Sequence, residues 1–258
     1  MPMKPLLAAL LALSMGSAQA LQCTARSAPT TTALVELYTS EGCDSCPPAD
    51  RWLSSLGQKG YAPDRVVPIA LHVDYWDYIG WKDPYARQAF SARQRKMAAL
   101  ARAAVVYTPQ VLLQGRDFGD WHTAAFEQQV AKINALPARA RIALVLDTRR
   151  SDAFEVEASA ELLAGMPPAD LALYLGAYEN KLVSEVKAGE NRGRSLPHDY
   201  VVLQWTGPFE FKGATLAERQ RLALLPKAVA ANSGVVAFVQ NKATGEVLQA
   251  LMLPACKG

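Results

Sequence analysis

Apolar and polar positions follow two different patterns along this chain. From Ala33 to about Leu136, short apolar runs alternate with stretches of helical spacing. Ala33–Tyr38 and Val66–Val73 are short apolar runs rich in strand formers, and Gln110–Leu113 reads as a third strand. Pro47–Leu56 reads as a helix stopped at Gly57. Asp83-Pro84 reads as an N-cap followed by proline in the first turn, where a missing N–H costs nothing. The helix it opens puts Phe90, Met97 and Leu100 on one face and Arg87, Arg95 and Arg102 on the other. Asp120–Leu136 is a further helix, with Phe126, Val130 and Ile133 spaced for burial. Strands alternating with helices predict an α/β layer with partly parallel strands.

After Pro137 the period changes to two. Arg141–Asp147 and Phe154–Ala158 alternate, and Leu171–Gly176, Tyr200–Trp205, Val235–Gln240 and Glu246–Met252 continue as short strands. The polar turn Asn241–Gly245 predicts a hairpin between the last two. The expected organisation is an α/β domain over residues 21–137 and an antiparallel β-sandwich-like module over residues 138–258.

Residues 1–20 read as a secretory leader. Lys4 supplies the basic start, Leu6–Leu13 a short apolar core, and Ser17-Ala18-Gln19-Ala20 a cleavage site. No later segment is apolar enough to span a membrane. Half the residues are hydrophobic and the formal net charge is +3, which excludes a disordered chain and offers nothing to nucleic acid. The expected location is periplasmic or secreted, where disulfides persist.

That compartment gives meaning to four cysteines. Cys43-Asp44-Ser45-Cys46 lies directly between an apolar strand and a helix. A cysteine at a helix N-terminus is biased toward thiolate, the reactive species. Cys43 is therefore the expected nucleophile, and Cys46, three residues on, the resolving thiol. Structural zinc would need a second paired motif, which Cys23, Cys256 and the three histidines do not form, so no metal site or cofactor is expected. Cys23 and Cys256 lie near opposite ends of the leaderless chain, and domain termini often meet, so a disulfide between them is expected. Thr108-Pro109 precedes the strand Gln110–Leu113, where proline fits a cis bond that holds backbone beside the thiols or an ordinary trans turn.

The order strand, C-x-x-C, helix, strand, helix, Thr-Pro, strand resembles the thioredoxin fold. The segment Leu34–Asp50, with His72–Asp77, Gly80–Pro84, Gly189–Arg194 and Pro197–Tyr200, resembles a family of secreted bacterial thioredoxin-like proteins catalogued as a domain of unknown function. The resemblance implies a thioredoxin-like N-terminal domain and thiol–disulfide exchange with protein or small-molecule thiols and disulfides. It also implies that Glu36 occupies roughly the place of a buried acid that assists proton transfer, one residue further from the nucleophile than in thioredoxins. A solvated or salt-bridged Glu36 is the alternative. The Asp44 charge opposes thiolate formation at its neighbour.

If parallel strands end on the active-site side, Tyr75 and Trp76 line the rim near Cys43 and form, with Thr108, a substrate wall; a packed aromatic corner is the plainer reading. His198, Asp199, Asn191 and Arg194 read as a structural hydrogen-bonding network. Two alternatives to exchange stand: a Cu(I)-binding protein using both thiolates and His72, and a non-catalytic interaction module with a structural Cys43–Cys46 bond.

Overall fold

The computed structural model describes residues 22–256 except 151, 164 and 227; the expected leader lies outside them. Strands dominate. In chain order they are β1 (Gln22–Arg26), β2 (Ala33–Thr39), β3 (Val66–His72), β4 (Gln110–Leu113), β5 (Arg116–Asp117), β6 (Ala140–Asp147) and β7 (Ala153–Leu162). They continue as β8 (Leu171–Glu179), β9 (Leu182–Glu185), β10 (Ser195–His198), β11 (Val201–Glu210), β12 (Thr215–Ala223), β13 (Ser233–Asn241) and β14 (Val247–Pro254). Among the described residues the α-helices are α1 (Pro47–Ser55), α2 (Gln88–Leu100) and α3 (Ala124–Asn134).

The expected thioredoxin-like domain followed by a separate sandwich is overturned by the sheet order. One eight-stranded sheet runs β14-β13-β8-β11-β3-β2-β4-β5, joining strands from both sides of residue 137. β11 lies parallel to β3, with Val201 opposite Ala70 and the Ala70 N–H donating to the Tyr200 carbonyl at 2.8 Å. The physical reason lies in β3, whose seven residues are all buried. Ending the sheet there would leave the backbone groups of a fully buried strand unpaired, and the second half supplies the missing neighbour. The result is a mostly β protein rather than an α/β domain with an appended module.

Both faces of the large sheet are covered. Leu34 and Tyr38 face Phe90 and Met97 of α2, while Val35 and Leu37 on the opposite face meet Leu53 of α1 and Phe126 and Val130 of α3. Further along, Leu173, Leu175, Val235 and Ala237 pack against Ile142, Leu144 and Val156 of a four-stranded antiparallel sheet, β1-β6-β7-β12. β1 of the first half pairs with β6 of the second, and Cys23 on it is bonded to Cys256 with 5.6 Å between Cα atoms. β13 and β14 form an antiparallel pair across the 241–245 turn.

Two helix starts differ from the sequence reading. α2 begins at Gln88 rather than after Asp83, because the Asp83 carboxylate is taken by the backbone N–H groups of Glu41 and Tyr85 and by His72. α3 starts at Ala124, where Thr123 Oγ1 accepts from the Ala125 N–H at 3.2 Å.

A buried C-x-x-C disulfide over a carboxylate–histidine network

β2 is buried along all seven residues and delivers the chain to a turn at Ser40–Gly42. The Cys43 N–H donates to the Ser40 carbonyl at 3.2 Å and the Cys46 N–H to the Cys43 carbonyl at 3.3 Å, which folds the motif into one tight turn. Cys43 and Cys46 are disulfide-bonded, with Cα atoms 5.4 Å apart. Cys46 directly precedes α1, but the helix starts with Pro47-Pro48. Two of the N–H groups that a helix N-terminus normally offers are therefore missing, and those of Ala49 and Asp50 are turned onto the Cys46 carbonyl. The peptide dipoles remain, while direct N–H donation to a thiolate is weaker than the motif alone suggests.

The disulfide is covered: Cys43 is 1% exposed and Cys46 0%. Trp76 packs against the start of the turn, so near that a Cβ at Gly42 would lie 3.0 Å from the tryptophan Cβ. The Trp76 indole N–H donates to Thr108 Oγ1 at 2.7 Å. The Thr108–Pro109 bond is cis, and the pairing of Tyr38 with Gln110 sets Pro109 beside the end of β2 from which the cysteine turn departs. Cys43, Cys46, Trp76, Thr108 and Pro109 are thus gathered at one end of the central strands.

Tyr75 borders that group, its hydroxyl lying within reach of Thr108 as well as Gln94, whereas Glu36 lies elsewhere. The Tyr75 hydroxyl donates to Gln94 of α2, and its ring lies under the Arg95 guanidinium. Glu36 lies on the α2 face of β2, where Arg93 grips both carboxylate oxygens, Nε to Oε2 at 2.6 Å and Nη2 to Oε1 at 3.0 Å. The Tyr38 hydroxyl donates to the same carboxylate at 3.0 Å. Of the readings open for Glu36, the salt-bridged one matches its contacts: the carboxylate is half of an internal ion pair.

A different set of acids stands near the cysteines. Glu41, two residues before Cys43, accepts from Trp81 Nε1 at 2.7 Å and meets His198 Nε2 at 3.1 Å. Asp83 accepts from the Glu41 N–H at 2.9 Å and lies 2.7 Å from His72 Nδ1. Asp50, one turn along α1 from Cys46, accepts from Thr39 Oγ1 at 3.1 Å. The two imidazoles meet edge to face with centroids 5.0 Å apart, and His72 Nε2 and His198 Nδ1 are buried without a hydrogen-bond partner.

Burial draws the His72 pKa down, but the charge and hydrogen bond of Asp83, with the charges of Asp50 and Glu41, together outweigh it and the net shift is upward. Burial alone would lift Asp83; the charge and hydrogen bond of His72 hold it below the ordinary carboxylate range. Asp50 is raised by burial, against the opposing pull of His198 and His72. Among the described residues, no group of three or more histidine, cysteine, aspartate or glutamate side chains is arranged to hold a metal ion.

The second half of the chain completes the site. Asn191, fully buried between β9 and β10, donates from Nδ2 to the Glu41 carbonyl at 2.8 Å and the Cys43 carbonyl at 2.9 Å. Arg194 fixes that amide by donating to Asn191 Oδ1 at 2.8 Å. The sequence marks Asn191, Arg194 and His198 as a polar network but does not say that it grips the cysteine turn. Asp83 is marked in the sequence as a helix cap, and Asp50 and Glu41 only as part of a family-like segment; the available signal was an acid one helical turn after Cys46 and another two residues before Cys43.

Fold and site together define a mostly β, disulfide-bonded protein with a C-x-x-C turn at a strand–helix junction. The chain belongs to the family described as protein of unknown function DUF1223, whose model matches residues 34–240. A crystal structure of a protein from Agrobacterium tumefaciens is similar in fold, with 23% identity, a TM-score of 0.60, and coverage of 89% of this chain and 96% of that one. HBP35 of Porphyromonas gingivalis is similar in fold at 14% identity, with a TM-score of 0.65 and coverage of 88% and 76%. No curated protein matches the chain.

Proposed function

We propose that the protein carries out thiol–disulfide exchange through Cys43 and Cys46 outside the cytoplasm, with thiols or disulfides of proteins or small molecules as partners. The observation that carries this reading is the paired cysteines at a strand–helix junction, with Thr108 and Pro109 set at the same end of the central strands. Support for the reading is local: strand, C-x-x-C turn and helix follow one another here in the order found in thioredoxin-like proteins, although the sheet does not. The Cys23–Cys256 and Cys43–Cys46 bonds and the leader-like first twenty residues support an oxidising compartment.

The exchange is a two-electron process. In the dithiol state the Cys43 thiolate attacks one sulfur of a substrate disulfide and expels the other as thiolate. The Cys46 thiolate then attacks Cys43 Sγ, the mixed disulfide breaks, and the second substrate thiolate leaves. The protein has been oxidised to its disulfide and the substrate reduced to two thiols; the reverse sequence oxidises a substrate. The buried acids and histidines around the turn are a constellation of the kind that tunes thiol chemistry.

A Cys46→Ser variant is expected to accumulate mixed disulfides through Cys43, seen by mass spectrometry and lost with reductant, while Cys43→Ser accumulates none. Equilibration of the wild-type pair in thiol/disulfide buffers should give a two-electron couple. A bond that mild thiols cannot open, with a potential below about −300 mV, would make the pair structural and end this reading.

A further inference from the structure

The strongest unexplained feature is the cover over the disulfide. The segment from Val186 to Arg194 leaves β9 and returns in β10, closed at its base by Val186 N–H to Arg194 carbonyl at 3.0 Å and Gly193 N–H to Val186 carbonyl at 2.8 Å. β9 and β10 pair only with each other, in a two-stranded sheet separate from the two large ones. The tip is held to the cysteine turn by polar contacts. Asn191 bonds the Glu41 and Cys43 carbonyls, Glu190 accepts from the Asp44 N–H at 3.1 Å, and His198 at the root meets Glu41. Gly189 adopts φ +73° against Ile79, where an added Cβ would come within 3.0 Å of Ile79 Cδ1.

Resting on the exchange reading, we infer that Asn191 and its loop set substrate class, admitting low-molecular-weight thiols and disulfides to Cys43 and excluding thiols carried on folded proteins. Exchange needs near-linear approach of a sulfur to the sulfur under attack. Cys43 is 1% exposed, Trp76 packs on the neighbouring Gly42, and the Asn191 loop holds the carbonyls of Glu41 and Cys43, so a protein surface has to loosen that grip on the turn before its sulfur reaches bonding distance. A small thiol needs only a local, partial opening. Asn191 acts through the backbone carbonyls it holds rather than on the reacting sulfurs, so it is a positioning residue.

The test measures opening of the Cys43–Cys46 bond in the full chain by dithiothreitol and by a reduced folded C-x-x-C protein, for wild type, Asn191→Ala and Glu190→Ala. Wild type should react with the small dithiol and be at least about tenfold slower with the protein at equal dithiol concentration. Asn191→Ala removes two hydrogen bonds of ordinary net strength and should raise the protein-dithiol rate about tenfold or more, with little change for dithiothreitol. Glu190→Ala, at an exposed position, should shift the same ratio in the same direction by a smaller factor and keeps the test open if Asn191→Ala does not fold. Equal wild-type rates with both reductants, or a ratio unmoved in the folded variants, would overturn the inference and leave exchange intact. If neither reductant opens the bond in any of the proteins, exchange itself fails and the inference falls with it.

Discussion

Replacing Arg93 with methionine is expected to destabilise the fold by about 3–5 kcal/mol, because it strands the Glu36 carboxylate in the interior. Glu36 is 0% exposed and takes two bonds from the guanidinium. The third arm of Arg93 reaches Gln240 Oε1 at 3.0 Å, and its carbon lies 5.1–5.4 Å from the ring centroids of Tyr174, Trp205 and Phe238. Burial would lower the Arg93 pKa, but Glu36 outweighs it and the group is held firmly charged. One side chain on α2 therefore ties β2 of the first half to β8, β11 and β13 of the second.

Urea denaturation checks the size of the effect. A paired Glu36→Leu, Arg93→Met variant should recover part of the loss, since an apolar replacement of the whole pair leaves no bare charge. A cost below about 1 kcal/mol for Arg93→Met would mean that the interior solvates Glu36 by other means. Glu36→Gln should leave the pH profile of thiol exchange per folded molecule unchanged; a shifted profile would return Glu36 to the thiol chemistry.

His72→Ala is the second large effect, again about 3–5 kcal/mol, because Asp83 would lose the partner that justifies a buried charge. This loss should depend on pH. The folded pKa of His72 is raised above 6.5, so its contribution is complete below that value and fades as pH rises through the folded value. The folded pKa of Asp83 lies below 3.8, so its contribution is present above 3.8 and is lost as pH falls through the folded value. The pair is at full strength between those two ordinary values. The stability gap between wild type and His72→Ala should thus be widest near pH 5.5 and narrower near pH 9; a gap constant with pH would show that His72 acts by packing alone.

These two pairs explain where sequence reasoning stopped. Cys43 and Cys46 are legible because a short motif carries its chemistry in its spacing, and Thr108-Pro109 because proline has few places beside a central strand. The helices over α1 and α3 are legible because burial of one face imposes helical spacing on Phe126, Val130 and Ile133. Glu36 stayed open between an acid serving the thiols and a salt bridge because its partner is 57 positions away, a basic residue set among the buried positions of α2. Asp83 looked like a helix cap because its true acceptor role serves Glu41 and His72, which only the folded loop brings to it.

By itself the sequence marked the buried strands of the large sheet and the three helices, though not β1, β5, β9, β10 or β12, and it divided the cysteines into an inner and an outer pair. Period and motif are local properties, set by side-chain geometry over a few residues. Only the tertiary structure decided that the two halves share one sheet, that Glu36 belongs to Arg93, and that an asparagine 148 positions away holds the Cys43 carbonyl. Those outcomes depend on which buried strand edge finds a partner and which buried charge finds its opposite, and distance along the chain carries no record of either.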